Sequence, residues 1–388
     1  MQLYCIKIYS MKNYSLFLVM LLSMVYCNPK EQQEVLTINP DTNFLFVSES
    51  DSIYLASFQD DLIVVKGAAK KEGTARIYLS EDNRLLFSME RTEGHINIMD
   101  LSRFGKWLPK PIVRPQPTHW TGVNNHSLIF NDGDGSVVYI KADQSSTQGF
   151  SLGILEVEES VAHHGAALYL TNDAVAMTVK STDEEGALPK RVALVDVKSQ
   201  QILLTTDDLS LGGIHGAQSN GVYAVFGSTD GILWIKNDQS YGLMAYPQPL
   251  ENSSGNWIGT IKGAADTFVG SSRNHGLFKL DHKANTIQSL YSSDQIVDYQ
   301  ISQDGRFTVV MLNDNRLAVL ENESLNLLAE ISIPNQPETS KGFKMAIHEN
   351  FLFVASLGYN QFQVLELATL NPLKQFYTNV VLSDFKVF

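Results

Sequence analysis

His164-Gly-Ala-Ala167, His215-Gly-Ala-Gln218 and Lys262-Gly-Ala-Ala265 are variants of one phrase, spaced 51 and 47 residues apart, each opening a strand. His119-Trp-Thr-Gly122 opens an equivalent unit 45 residues before His164. Inside the units, short apolar runs are cut by turns rich in Asp, Asn and Gly. Ser127-Leu-Ile-Phe130, the turn Asn131-Asp-Gly-Asp-Gly135 and Val137-Val-Tyr-Ile140 form one such hairpin, and Val222-Tyr-Ala-Val-Phe226, Ser228-Thr-Asp-Gly231 and Ile232-Leu-Trp-Ile235 another. Repeats of about 40 to 50 residues holding four short strands are the pattern of propeller blades, each too small to bury both faces without its neighbours. The expected fold is therefore all-β, a β-propeller.

Carried outward, the register places further openings near Arg76, Asp298 and Lys344. The C-terminal run Val380-Val-Leu-Ser-Asp-Phe-Lys-Val-Phe388 reads as one more opening strand without a blade behind it, and residues 34–68 read as a blade without its opening strand. Joining the two closes the ring and leaves no open edge. The expected count is eight blades, or seven if residues 34–110 hold one blade rather than two.

Composition agrees with a large buried core. Hydrophobic residues at 44 %, charged residues at 18 % and 12 Pro exclude a disordered, collagenous or coiled-coil chain. The 42 acidic residues outnumber 29 basic ones and are scattered, which argues against nucleic acid as a partner. Beyond the N-terminus no apolar stretch approaches the roughly 20 residues of a membrane-spanning helix.

The first 27 residues read as a signal peptide, with Met11 a better start than Met1: Lys12 is followed by the apolar run Leu16–Leu22 and then Ser23-Met-Val-Tyr-Cys27. Cys27 stands where bacterial lipoproteins carry their lipidated cysteine, and residues 28–33 read as a polar tether before a propeller over 34–388. Tyr26, where a small residue is usual, leaves simple secretion or an uncleaved anchor as the alternative. Cleavage before Cys27 would remove Lys7, Lys12 and Cys5, leaving net charge -15 and a body beyond Cys27 without cysteine. Such a body has no disulfides and no thiolates, so any metal must sit on histidines and carboxylates.

His119, His163, His164 and His215 fall in three successive blade openings. The opening strand is the innermost of a blade, so imidazoles at its N-terminal end converge on the central channel. Zinc suits three or four His or carboxylate ligands in tetrahedral array, and Asp298, at another opening, is a candidate carboxylate. A lone histidine at a strand start more often packs or hydrogen-bonds to a neighbour, but four at one position of adjacent repeats weigh against that. Since side chains alternate along a strand, His163 and His164 cannot both face the channel, and one is expected to support the other. His95, His126, His275, His282 and His348 lie in hairpins or mid-strand and are expected to be structural. Residues 131–135 lack the downstream glutamate of a calcium loop, and a tight turn explains them. No G-x-S-x-G, Walker A or H-E-x-x-H motif occurs, so no catalytic residue is expected.

Pro117-Thr-His-Trp120, Ile129–Ser136, Ala162-His-His-Gly-Ala166, Ile214-His-Gly216 with Ala224–Leu233, and Ile261-Lys-Gly263 together resemble the AztD-type zinc metallochaperones, over residues 75–330. These are exported β-propellers that hand zinc to the solute-binding protein of an ABC importer. The resemblance implies that His119, His163 or His164, and His215 are zinc ligands, with about one zinc per chain. Glu93-Gly-His-Ile96, with a single histidine, and Ala217 depart from the family pattern and offer no second site. The function this resemblance implies is thus that of an envelope zinc-binding protein, a metallochaperone delivering zinc to the solute-binding protein of an ABC importer, and a lipoprotein of the periplasm or cell envelope. A metal-dependent propeller hydrolase or lactonase and a non-catalytic interaction scaffold are the alternatives.

Overall fold

The computed structural model describes residues 38–59, 62–143, 149–158, 160–250, 256–333 and 341–388. The expected signal peptide, Cys27 and the 28–33 tether lie outside the described residues. The strands form eight four-stranded antiparallel sheets arranged as an eight-bladed propeller. Among the described residues the only helix is one 3-10 turn, Leu101–Arg103, and none is long and apolar enough to cross a membrane.

Blades 2 to 8 open with Arg76–Leu79, Pro117–Val123, Ala167–Leu170, Ile214–Ser219, Ile258–Ala264, Ile296–Ile301 and Phe343–His348. Each runs outward through three more strands in chain order. Blade 1 takes its innermost strand from the C-terminus: Leu382–Val387 pairs antiparallel with Asn43–Ser48, matching Phe385 to Phe46. The ring closes as the two incomplete ends of the sequence implied, with eight blades rather than seven.

Strand position sets burial. Second strands such as Leu85–Glu90, Ala174–Val179 and Phe307–Leu312 are buried at every residue, because a blade stacks on neighbours through both faces. Outer strands such as Asn326–Ser332 are mostly exposed. Hairpins turn on residues that tolerate a left-handed backbone, among them Asn83, Asn124, Asn285 and Asn315, with φ of 55°, 55°, 55° and 65°.

Apolar side chains of adjacent blades interdigitate into separate cores. Phe130, Val137 and Leu155 of blade 3 meet Ala167, Val175 and Met177 of blade 4, and Leu168 and Ala176 of blade 4 meet Phe226 and Leu233 of blade 5. The seam between blades 8 and 1 is aromatic. Phe44 lies 5.7 Å from both Phe353 and Phe362, and Phe58 meets Phe376 edge-on at 5.5 Å.

A deviation from regular pairing recurs at the channel ends of the opening strands. In blade 5, Ile214 pairs with Ser228 but Ala217 with Phe226, so His215 and Gly216 together oppose one residue. Bulges of the same kind follow Pro117, Ile258 and Ile296 in blades 3, 6 and 7. A bulge breaks the two-residue alternation and re-aims the side chains beside it.

Candidate metal centre

Three of the expected ligands converge. One nitrogen from each of His119, His164 and His215 lies within 4.8 Å of the other two, and among the described residues no other three His, Cys, Asp or Glu side chains group this way. His119 Nε2 stands 3.0 Å from His164 Nε2. The rings of His164 and His215 are near-parallel at 5.1 Å between centroids.

Each ring is placed by its own blade. His119 follows the bulge of blade 3. His164 precedes the opening strand of blade 4, on a turn that requires Gly165: a Cβ there would strike Phe130 Cζ at 2.6 Å and His163 Nε2 at 2.7 Å. His215 sits in the bulge of blade 5, where Gly216 takes φ +79° and a Cβ would come within 2.5 Å of Gly259 O. The recurring His-Gly pair therefore serves close approach between neighbouring blades at the channel.

Hydrogen bonds orient two of the rings. His215 donates from Nδ1 to Gly259 O at 2.7 Å, leaving Nε2 with a free lone pair. His164 Nδ1 meets Asp132 Oδ2 at 2.8 Å, in the carboxylate–histidine arrangement that fixes the tautomer and raises the basicity of a metal ligand. Asp132 is 5 % exposed and also accepts from Arg91 Nη1 at 2.9 Å. Burial works to raise its carboxyl, but the hydrogen bond and charge of His164, aided by Thr118 and Arg91, hold it below the ordinary range.

Burial pushes His119 down to about 4, and the neighbouring His164, His215 and Arg76 add to this against the opposing pull of Asp132. His119 is thus a neutral imidazole near pH 7, the form that binds a metal. Tetrahedral zinc with Zn–N of about 2.0–2.1 Å holds its nitrogens about 3.3 Å apart. The cluster, spanning up to 4.8 Å, fits that demand with small ring adjustments.

His163 points elsewhere. It is 5 % exposed, with Nδ1 2.7 Å from Val161 O and Nε2 3.1 Å from Thr178 Oγ1, and it packs edge-on against Phe130. Thr178 Oγ1 in turn accepts from Ala166 N at 3.0 Å, so His163 braces the turn that carries His164. Asp298 is also outside the cluster: its Oδ1 receives Lys262 Nζ at 2.7 Å and Tyr299 N at 2.8 Å. Of the other histidines, His126 stacks on Tyr169 at 3.8 Å, while His95 and His282 pair with Glu72 and Asp266.

Asp132 has no counterpart in the sequence-based reading, which took residues 131–135 only as a turn. Its one signal was register: the strand His126–Asn131 pairs with Pro117–Val123, which puts the residue after Asn131 at the same end of blade 3 as His119. Asp132→Asn should weaken zinc binding by roughly 10- to 100-fold, the usual cost of losing a carboxylate behind a ligating histidine. A zinc competition titration showing unchanged affinity in this variant would remove Asp132 from the site.

No family model and no curated protein matches the chain. Among solved structures it is similar to apo AztD from Citrobacter koseri, with TM-score 0.72 and 14 % identity over 89 % of this chain and 98 % of that one. A second Citrobacter koseri AztD structure superposes with TM-score 0.70 and 14 % identity, over 89 % and 97 % of the two chains. The dihydro-heme d1 dehydrogenase NirN in complex with DHE gives TM-score 0.54 and 10 % identity, over 91 % and 76 %. The resemblance to AztD drawn from short sequence phrases thus extends to the whole propeller, and this chain has the fold of the AztD proteins.

Proposed function

We propose that the protein binds one zinc ion in its channel through His119, His164 and His215 and passes it to the zinc solute-binding protein of an ABC importer. The observation that carries this reading is the convergence of three imidazoles from three consecutive blades, two of them held by hydrogen bonds from the far ring nitrogen. Three neutral nitrogens bind zinc and leave its fourth position open to water or to an acceptor's ligand, a fitting state for cargo that must be released. His163 supports the site through Thr178 and the His164 turn rather than by ligation. Asp298 would join the shell only by giving up Lys262.

The setting we propose is the cell envelope, reached through the signal peptide and held there by lipid on Cys27. The likeness in fold to AztD supports a role in zinc handling rather than catalysis. Zinc-loaded protein mixed with a metal-free solute-binding protein should lose its metal to the acceptor faster than zinc dissociates into a chelator of equal strength. Transfer no faster than free dissociation would reduce the role to zinc binding, and hydrolysis of esters or lactones by the loaded protein would favour an enzyme.

A further inference from the structure

Beside the histidines lies a second, larger cavity of about 560 Å³, within the range that takes a small organic ligand. It shares His215, Gly259 and Thr260 with the cavity of about 330 Å³ that the three histidines line. Its charge balance is the informative feature. Lys262 is tied to Asp298 Oδ1 at 2.7 Å and Tyr299 O at 2.6 Å, and lies over the Tyr299 ring at 4.8 Å, so these two charges cancel. Arg273 also lines the cavity, and among the described residues it makes no hydrogen bond or ion pair. The lining therefore carries one uncompensated positive charge in a chain whose net charge is -13.

The opposite character is present in the same cavity. Leu188, Trp257, Ile296 and Val297 contribute an apolar wall; Val297 is 59 % exposed, and Trp257 stands edge-on to the His215 ring at 6.2 Å. A guanidinium recognises a carboxylate through two parallel N–H donors, and apolar and aromatic surface recognises a hydrocarbon body. One free cation in a lining that also holds Asp298 suits a monoanion, whereas a dianion such as phosphate would meet the aspartate's field without a second free cation to offset it.

We propose that this cavity binds a small amphipathic monocarboxylate, with its carboxylate on Arg273 and its apolar body against Trp257 and Ile296. The residues that would hold the ligand, Arg273, Trp257 and Ile296, are not among the three histidines, although His215 borders both cavities.

Phenylacetate and its neutral analogue phenylacetamide are the probes, titrated calorimetrically into the protein in the presence of a chelator. The expected result is saturable one-to-one binding of phenylacetate, at least about tenfold weaker for phenylacetamide and for Arg273→Gln, since a charge-assisted pair is lost in both cases. His119→Ala should bind phenylacetate as the unchanged protein does, which separates this site from the metal site. Arg273 is exposed, so Arg273→Gln should keep the parent melting temperature. Absence of saturation, equal binding of the two probes, or unchanged affinity in Arg273→Gln would overturn the proposal, whatever the zinc titrations show.

Discussion

Changing His119, His164 and His215 together to alanine should abolish zinc binding at the channel, and each single change should cost about 100-fold in affinity. The figure takes the low end of roughly 10–16 kcal/mol of zinc binding shared over three histidines, about 3 kcal/mol each. His282→Ala and His348→Ala should leave affinity unchanged, since neither ring joins the cluster. His163→Ala should fall between, because it loosens the turn before Ala167 without removing a ligand. A competition titration in which the triple variant binds zinc as tightly as the parent protein would sink the metal centre.

Acid should also weaken binding, and the window can be located for His119. An unperturbed imidazole competes for protons near pH 6.5, but the burial that pushes His119 down to about 4 delays its protonation by more than two pH units. Zinc affinity should therefore show proton competition from this ring only as pH approaches 4. The same shift has a consequence for the metal-free fold. A histidine whose folded pKa is depressed contributes stability that is fully present above its unfolded value of about 6.5 and is lost as pH falls towards about 4. His126, pushed down to about 4 by its burial and by Lys141, acts in the same direction.

Deleting residues 380–388 should lower the melting temperature by roughly 10 °C or more, or drive the protein to aggregate. Val380, Leu382 and Phe385 are 5 %, 0 % and 3 % exposed. Burial of side chains this size contributes about 1.5–3 kcal/mol each, which together rivals the total stability of about 5–15 kcal/mol of a typical domain. The deletion also strips the Asn43–Ser48 strand of its inner partner, leaving it paired only with Ser52–Gln59, and opens an unpaired edge beside the aromatic seam of Phe44, Phe353 and Phe362. Trimming residues 28–33 should do neither. Equal melting temperatures for the two truncations would mean that the C-terminal strand does not hold the ring closed.

The propeller was legible in the sequence because a blade is a local object. Its strands are consecutive, its turns carry Asn, Asp and Gly, and its repeat distance is visible in the His-Gly-Ala phrases at 164, 215 and 262. Closure was legible for a related reason: the run Val380–Phe388 reads as an opening strand and residues 34–68 as a blade that lacks one, and in the fold Leu382–Val387 pairs with Asn43–Ser48. The grouping of His119, His164 and His215 followed from equivalence of position in adjacent repeats. What alternation along a strand left open was which member of the His163–His164 pair faces inward, because both precede the strand that begins at Ala167 and the turn, not the pleat, aims them. Asp298 illustrates the second limit. Its position at a blade opening marked it as a ligand candidate, but the cross-blade ion pair with Lys262 depends on how far two opening strands stand apart, which no spacing within one chain segment encodes. The Asp132 carboxylate behind His164 and the Arg273 cavity are likewise contacts between blades, whereas the bulges that present His119 and His215 are irregularities of pairing within a blade, which no repeat distance shows. The sequence by itself determined the repeat and its closure and narrowed the ring to eight blades or seven; the tertiary structure settled the number and decided which side chains meet, because that depends on the angle and distance at which each blade packs on the next.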